Sequence, residues 1–508
     1  MSTFYLRIEG VNLSYVLEDT DQLSVVRGGS LLLRQAVKDI EARFPNLKKI
    51  STGASIGLFE FKDDQPTAEK LRNDIAHYLN THANYKHLTF VVDAQEARAG
   101  FLIDKEAVLA RNRFRQMQQL SLTMPDRNTS IYEPCEWDGV RPGDSCVEVR
   151  RDQGIERPPV SAFIASRHNY GRKQKQKFYR EETKEKGYVD PAIQSLDFAE
   201  DLHEIGGGSC FSILNDKIAV IYLDGNKFSK VQRHHCQDAA SQDAWDTYIQ
   251  GKRREFLKAF LLKCNADPDF HLKLDDNKLR LETLLWGGDE ITLVVPAWRG
   301  FQTLHYFFQQ AAPWEFKQPL THAGGIAFCH VKTPIYRIQA LAKNLADNVK
   351  DFLNGRNEDR YEYMVLESID YPTERLDRFW EQRFGGFSDC RQPLPPIPDW
   401  EAQAVKLRTL LSGDDASEGR ELPKGQVYAL VRAVLGSENQ SDRLINFARQ
   451  LRRLKELVGK DKLQRIETTL EQLFPSDCPV WPWLHLFELW DYLVPERKPG
   501  KVGSRGAP

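Results

Sequence analysis

The sequence predicts an α+β protein: two ferredoxin-like domains, the first degenerate and the second carrying a Gly-Gly-Asp-Glu turn, plus a C-terminal helical domain. Three observations predict it. The order strand, helix, hairpin, helix, strand reads off the first 95 residues. The same order returns between residues 217 and 329. Beyond a proline-rich stretch at 391–400, the segments repeat apolar residues with the 3.6-residue period of amphipathic helices.

In the first unit, Phe4 to Leu17 is strand-like, and Gly29 to Phe44 is a helix with Leu31, Leu32, Ala36, Val37 and Ile40 on one face. Lys49 to Phe61 reads as a hairpin about Gly53, Thr67 to Tyr78 as a helix, and His87 to Asp93 as a buried strand. In the second unit, Lys217 to Leu223 is a strand and Asp243 to Cys264 a helix with Trp245, Tyr248, Ile249, Phe256 and Phe260 as its apolar positions. Leu279 to Val295 is a hairpin about Gly287-Gly288, Phe301 to Gln310 a helix, His322 to Cys329 a strand, and Ile335 to Phe352 a further helix. These elements divide the chain into a degenerate unit at 1–95, a bridging insertion at 96–200, a catalytic-type unit at 201–390 and a helical domain at 391–495. The last residues, 496–508, are expected to be a disordered tail.

Composition sets the class. Hydrophobic residues make up 41% and charged residues 28% of 508, the balance of an ordinary globular protein. A net charge of −2 excludes a uniformly basic nucleic-acid coat but not a local patch. No apolar run reaches the ~18 residues of a membrane span, and the N-terminus reads as a strand without a signal peptide. Eight cysteines without a framework fit a reducing, cytoplasmic setting.

Chemistry concentrates in two segments. Ile218-Ala-Val-Ile-Tyr-Leu-Asp-Gly-Asn-Lys-Phe228 ends an apolar strand on Asp224, and Leu284-Leu-Trp-Gly-Gly-Asp-Glu-Ile-Thr-Leu-Val-Val295 holds Asp289 and Glu290 in a tight turn. A hairpin beside a strand end can bring Asp289 against Asp224, an oxygen-lined site for Mg²⁺ or Mn²⁺. Gly225, Gly287 and Gly288 let a nucleoside triphosphate approach the backbone. In the first unit Glu9 stands where Asp224 would, and Ser55 where Asp289 would. A serine hydroxyl does not replace an anionic ligand, so the repeat is expected to be one live and one dead site.

The pair of segments resembles the palm domain of GGDEF diguanylate cyclases, class III nucleotide cyclases and CRISPR polymerases. It is most similar to the large polymerase–cyclase subunit of type III CRISPR effector complexes. Thr321-His-Ala-Gly-Gly-Ile-Ala-Phe-Cys-His-Val-Lys-Thr-Pro334, Leu202-His-Glu-Ile205 and Val365-Leu-Glu-Ser-Ile-Asp370 are also similar to that family. The resemblance implies a degenerate and a catalytic palm, and ATP joined into cyclic oligoadenylate or a related cyclic nucleotide, in antiviral defence. It implies Asp224, Asp289 and Glu290 as catalytic residues, with Asp224, Asp289 and the Gly225 carbonyl as ligands for Mg²⁺ or Mn²⁺. Asn226, Phe228, Gly287, Gly288 and Lys350 would join Gly225 around the nucleotide, Lys350 on a phosphate. RNA and other effector-complex subunits would be partners, and a membrane would not.

Three departures from the family stand out. No His-Asp pair of a nuclease domain precedes the first palm. The turn ends in Glu290 rather than a second aspartate. The zinc insertion is eroded to Cys135 and Cys146, which are candidate Zn²⁺ ligands with His168, Cys210 or the Arg233-His-His-Cys236 cluster able to complete a set, or else two unpaired cysteines in a loop. A basic run from Arg167 to Arg180 with interleaved aromatics suits RNA, although a solvated loop has the same composition. Arg449, Arg452, Arg453 and Lys455 form a second, weaker patch. Two other readings stay open: a catalytically silent palm-fold scaffold for RNA or partner subunits, and a GTP-using enzyme of diguanylate-cyclase type.

Overall fold

The computed structural model describes residues 1–118, 133–151, 154–208, 211–273, 277–367, 371–372, 375–412, 421–436, 440–493 and 495. The expected tail at 496–508 and Cys210 lie outside the described residues.

The first sheet runs β2-β3-β1-β4, with β1 Ser2–Gly10, β2 Lys48–Thr52, β3 Ile56–Asp63 and β4 Phe90–Glu96, every pairing antiparallel. β1 alternates, and it is buried on both faces. Phe4, Leu6 and Ile8 point into a core shared with α1 (Leu23–Arg43) and α2 (Gln65–Thr81). Tyr5, with Ile50 and Leu58, meets Phe101 and Val108 of α3 (Phe101–Gln118) on the other face. Asp64 caps α2 by accepting the Thr67 N–H at 2.9 Å, with Pro66 in the first turn. The strand expected to reach Leu17 stops at Gly10, and Ser14–Leu17 forms a single helical turn.

The second sheet runs β6-β7-β5-β8-β9, where β5 is Lys217–Gly225, β6 Glu282–Gly287, β7 Glu290–Pro296, β8 His322–His330 and β9 Arg360–Val365. Its first four strands repeat the order and the antiparallel pairing of the first sheet. The register repeats too. Gly53 bonds Ile56 across the first turn as Gly287 pairs Glu290 across the second. Glu9 pairs Ile56, and the β5–β7 ladder, ending at Leu223↔Ile291, sets Asp224 next in line opposite Glu290. Duplication therefore extends to individual residues. It also includes a helix after the last strand: α3 lies on β1 and β4, and α8 (Ile335–Leu353) lies on β5 and β8 before leading into the parallel strand β9. α3 is thus packed into the first unit, although its sequence lies in the stretch assigned to the bridge.

The rest of the bridge differs from expectation. The basic run belongs to α4 (Ala162–Glu182), a helix crossing α1 at backbone contact. A Cβ on Gly28 would stand 1.9 Å from the Arg167 carbonyl oxygen, and one on Gly171 2.1 Å from that of Ser24. Arg167 is fully buried and pairs with Asp19 at 2.6 Å, while Lys175 pairs with buried Glu282 at 2.9 Å. These two cations are internal struts, because a helix packed on one side must turn part of any basic run inward.

α5 (Phe228–His235) follows β5, α6 (Ala239–Ala266) packs on α5 and on α7 (Gly300–Ala311), and α7 covers the face of the second sheet opposite α8. The C-terminal helices, Trp400–Ser412, Lys424–Leu435, Gln440–Val458, Lys460–Leu473 and Trp481–Leu493, dock beyond β9. The apolar final helix finds its partner there: Tyr363 of β9 meets His485 at 2.6 Å, and the Trp481 indole donates to the Phe387 carbonyl at 3.0 Å. The proline segment is pinned to the sheet edge, Leu394 and Tyr361 exchanging backbone hydrogen bonds of 2.8 Å. Among the described residues, no helix is long and apolar enough to cross a membrane.

Candidate active site

Asp224 is the penultimate residue of the central strand β5 and is 8% exposed. Gly225 follows because a Cβ there would stand 2.5 Å from the Phe228 ring. Asp289 lies in the two-residue loop between β6 and β7, where Gly288 takes φ +54. Asp289 lies close enough for its charge to bear on Asp224. Burial first, and then the charge of Asp289, push the Asp224 carboxyl up to about 6, against the opposing pull of Lys350. Asp289 is raised too, by burial and by Glu290, against Lys350 and Arg253. Lys350 of α8 donates directly to Asp224 Oδ2.

This is a site with surplus negative charge. The chain supplies Lys350 as a counter-charge, and it does not suffice to bring Asp224 to its ordinary value. A hard divalent cation fits such a donor set. Among the described residues, no three His, Cys, Asp or Glu side chains gather as a ligand group. Two carboxylates completed by substrate phosphates is the usual arrangement for Mg²⁺.

The other expected residues take different places. Glu290 turns its carboxylate to the Tyr222 hydroxyl, 2.6 Å away. Asn226 braces the loop, its amide donating to Thr321 Oγ1 at 3.2 Å and to the Glu358 carbonyl at 3.0 Å. Phe228 is 3% exposed, wedged between Trp245 and His322, so it packs the core rather than offering a face to a base. Cys135 is buried in a small apolar cluster with Val25, Val147, Val160 and Ile164, and Cys146 is exposed. His168 is engaged by Ser24 Oγ at 2.7 Å, and Cys236 is buried in the main core. No zinc ligand set forms among these described residues; an apolar cluster holds the insertion together. Arg449, Arg452, Arg453 and Lys455 are exposed on their helix.

The first unit disposes of its carboxylate differently. Glu9 is 5% exposed and held by two arginines, Arg7 at 3.2 Å and Arg113 of α3 at 2.8 Å. Its charge is neutralised by the chain itself. Arg113 does for Glu9 what Lys350 does for Asp224, from the equivalent helix, and sequence reading missed it because the helix was assigned to the bridge.

Sequence reading also missed a cavity between the units. It has a volume of about 220 Å³ and lies where the two hairpin tips meet, lined by Arg34, Lys38, Lys49, Gln250, Arg253 and Trp286. Arg34 and Lys38 share Glu182. Arg253 is 6% exposed, and neither its Nε nor its Nη1 has a hydrogen-bond partner. Lys252-Arg253-Arg254 was the legible signal: three consecutive helical residues span about 200°, so one must face inward.

No protein-family model matches the sequence, and no curated protein matches it. Solved structures do match. The Csm1-Csm4 cassette in complex with one ATP aligns with TM-score 0.51 and 11% identity over 97% of this chain and 70% of that chain. The cassette in complex with pppApApA gives 0.51 and 11% over 93% and 69%. Csm1 in T. onnurineus gives 0.50 and 12% over 98% and 70%. The chain spans 63% of the length of the apo Csm1-Csm4 cassette chain and 69–70% of these three. In fold, along nearly its whole length, the chain is like Csm1 of the type III CRISPR effector complexes.

Proposed function

We propose that the chain is a nucleotidyltransferase of the polymerase–cyclase type, with a degenerate and a catalytic palm, that joins ATP into cyclic oligoadenylate or a related cyclic nucleotide. The observation that carries this reading is the Asp224–Asp289 pair, buried at Asp224 and half-buried at Asp289, with Lys350 as its only direct cationic partner among the described side chains. Placing like charges together out of water is unfavourable, and a scaffold has no use for it. Divalent cations at this pair would neutralise the triphosphate and activate the attacking 3′ hydroxyl. Asp224 and Asp289 would hold them, with the Gly225 carbonyl. Lys350 would exchange Asp224 for a phosphate oxygen once a cation arrives. The glycine turn keeps the approach open.

Joining nucleotides requires two seats. The cavity beside the turn, where Arg253 Nε and Nη1 have no hydrogen-bond partner, suits the phosphates of a second nucleotide. The solved Csm1-Csm4 cassettes of this fold hold ATP in one case and pppApApA in another, which supports adenine nucleotides as substrate and product class. A Csm4-like subunit and RNA are the partners proposed for this chain.

The test is incubation with each labelled nucleoside triphosphate and Mn²⁺, with and without RNA and partner subunits. Cyclic or linear oligoadenylate from ATP is the expected product. Product from GTP alone would move the reading to a diguanylate-type enzyme. No product under any condition would leave a palm-fold scaffold, which the arginine-neutralised first unit already exemplifies.

A further inference from the structure

The turn departs from a pair of aspartates at Glu290, and the carboxylate of Glu290 is already engaged. Tyr222 stands two residues before Asp224 on β5, so both side chains leave the same face of the sheet. The Tyr222 hydroxyl donates to Glu290 Oε1 at 2.6 Å. A phenol hydroxyl is a donor, and the Glu290 carboxylate can only accept, so the bond runs from Tyr222 to Glu290. Lys343 Nζ lies 4.0 Å from the same Glu290 oxygen and 6.0 Å from the centre of the Tyr222 ring. Asp347, one turn along α8 from Lys343, also faces Tyr222.

Backbone register explains why the contact matters. The β5–β7 ladder ends at Leu223↔Ile291, one residue short of Asp224 and Glu290. Past that point backbone pairing between β5 and β7 no longer ties the hairpin tip to the strand that carries Asp224. The bond from Tyr222 to Glu290 supplies that tie. It also accounts for the residue type. An aspartate is shorter by one methylene, roughly 1.5 Å, so its carboxylate would fall outside hydrogen-bond range of the phenol.

We propose that Glu290 is a positioning residue rather than a cation ligand: Tyr222 and Glu290 form a clasp that holds the hairpin tip on β5 and keeps Asp289 beside Asp224. The inference rests on the nucleotidyltransferase reading for its kinetic arm only. The glutamate in place of an aspartate and the tyrosine two positions before Asp224 belong together, and each is expected to lose its effect without the other.

The experiment compares Tyr222→Phe, Glu290→Gln, Glu290→Asp and the double variant Tyr222→Phe/Glu290→Gln with Asp289→Asn. Mn²⁺ affinity is read by paramagnetic resonance of the free ion, together with melting of the apoprotein and kcat and KM for ATP. Glu290→Gln should change Mn²⁺ affinity by about three-fold or less, the effect of one lost charge, while Asp289→Asn costs about ten-fold or more. Tyr222→Phe and Glu290→Asp, each of which breaks the contact, should lower kcat by a similar factor with KM nearly unchanged. Glu290→Gln, whose amide oxygen still accepts from the phenol, should lower it less, and the double variant should be no worse than Tyr222→Phe. Loss of Mn²⁺ affinity in Glu290→Gln equal to that in Asp289→Asn would make Glu290 a ligand and overturn the proposal. Additive effects of the two single substitutions would overturn it as well. If the wild type forms no product, the nucleotidyltransferase reading fails, and the Mn²⁺ comparison alone decides the role of Glu290.

Discussion

Gly287 of the second unit's hairpin lies against Ala54 of the first unit's, and a Cβ built on Gly287 would stand 2.0 Å from the Ala54 Cβ. The two units thus meet tip to tip at the turn that carries Asp289. Reciprocal contacts flank the meeting point. Asp246 of α6 accepts the Thr52 N–H of the first hairpin at 3.2 Å, and Arg27 of α1 pairs with Glu282 at the base of the second at 2.6 Å.

Gly287→Ala should therefore push the tips apart. The expected cost is roughly 1–3 kcal/mol of stability, read by denaturant unfolding, with product formation falling further than stability. Ala54→Gly in the same chain should recover part of both. Full activity in Gly287→Ala alone would mean that the tip contact does not shape the site.

Asp289→Ala and Asp224→Ala should each abolish nucleotidyl transfer while the fold persists. Removing one of two repelling carboxylates should stabilise the apoprotein by about 1 kcal/mol or less. The check is product formation from ATP beside thermal melting. Activity surviving in both single variants and in the double variant would remove the aspartates from the chemistry.

Acid should act on this site in a stated direction. Asp224 sits at about 6 in the folded chain against an ordinary 3.8. Between those values the folded chain holds more protons than the unfolded one, so the stability due to this group falls as pH rises through the window. Cations compete with that proton, and Mn²⁺ affinity should rise over the same interval. Melting with and without Mn²⁺ from about pH 4.5 to 7.5 reads both slopes. Mn²⁺ affinity that does not change across that range would exclude Asp224 as a ligand.

Arg253→Met should separate stability from activity. A buried guanidinium with two unpaired nitrogens is costly, and a flexible apolar side chain of similar length removes that cost. The apoprotein should melt higher, and KM for ATP should rise several-fold if the cavity seats a nucleotide. A higher melting point with unchanged kinetics would leave the cavity without that role.

Manganese should occupy the second unit alone. Glu9 already has Arg7 and Arg113 as partners, so anomalous scattering from Mn²⁺-soaked crystals should peak only near Asp224 and Asp289. Equal peaks at both units would contradict the assignment of a dead copy.

Much of this was legible before folding. Alternation and turn glycines located the strands, and the repeated order revealed the duplication. The pairing of Glu9 with Asp224 and of Ser55 with Asp289 across the copies needed only the spacing of apolar residues about each turn. These are local properties, set by how side chains alternate along a strand and by which residues tolerate a tight loop. Lys350 was singled out only by the family resemblance, since its place on the helix after His322 to Cys329 reads by itself as an exposed lysine.

Other features depended on neighbours that sequence order does not reveal. Arg167 and Lys175 look like any solvated cations until the fold sets Asp19, ahead of α1, against the first and Glu282 of β6 against the second. Phe228 resembles a base-stacking ring until Trp245 and His322 close on it. Glu290 reads as a catalytic carboxylate, and only the fold reveals its hydrogen bond to Tyr222. The sequence by itself determined the strand order, the duplication and the residues that carry charge at each turn, because alternation and turn chemistry act over a few residues. Only the tertiary structure decided which of those charges are neutralised, by Arg113 for Glu9 and incompletely by Lys350 for Asp224, because charge compensation acts through space between segments far apart in the chain.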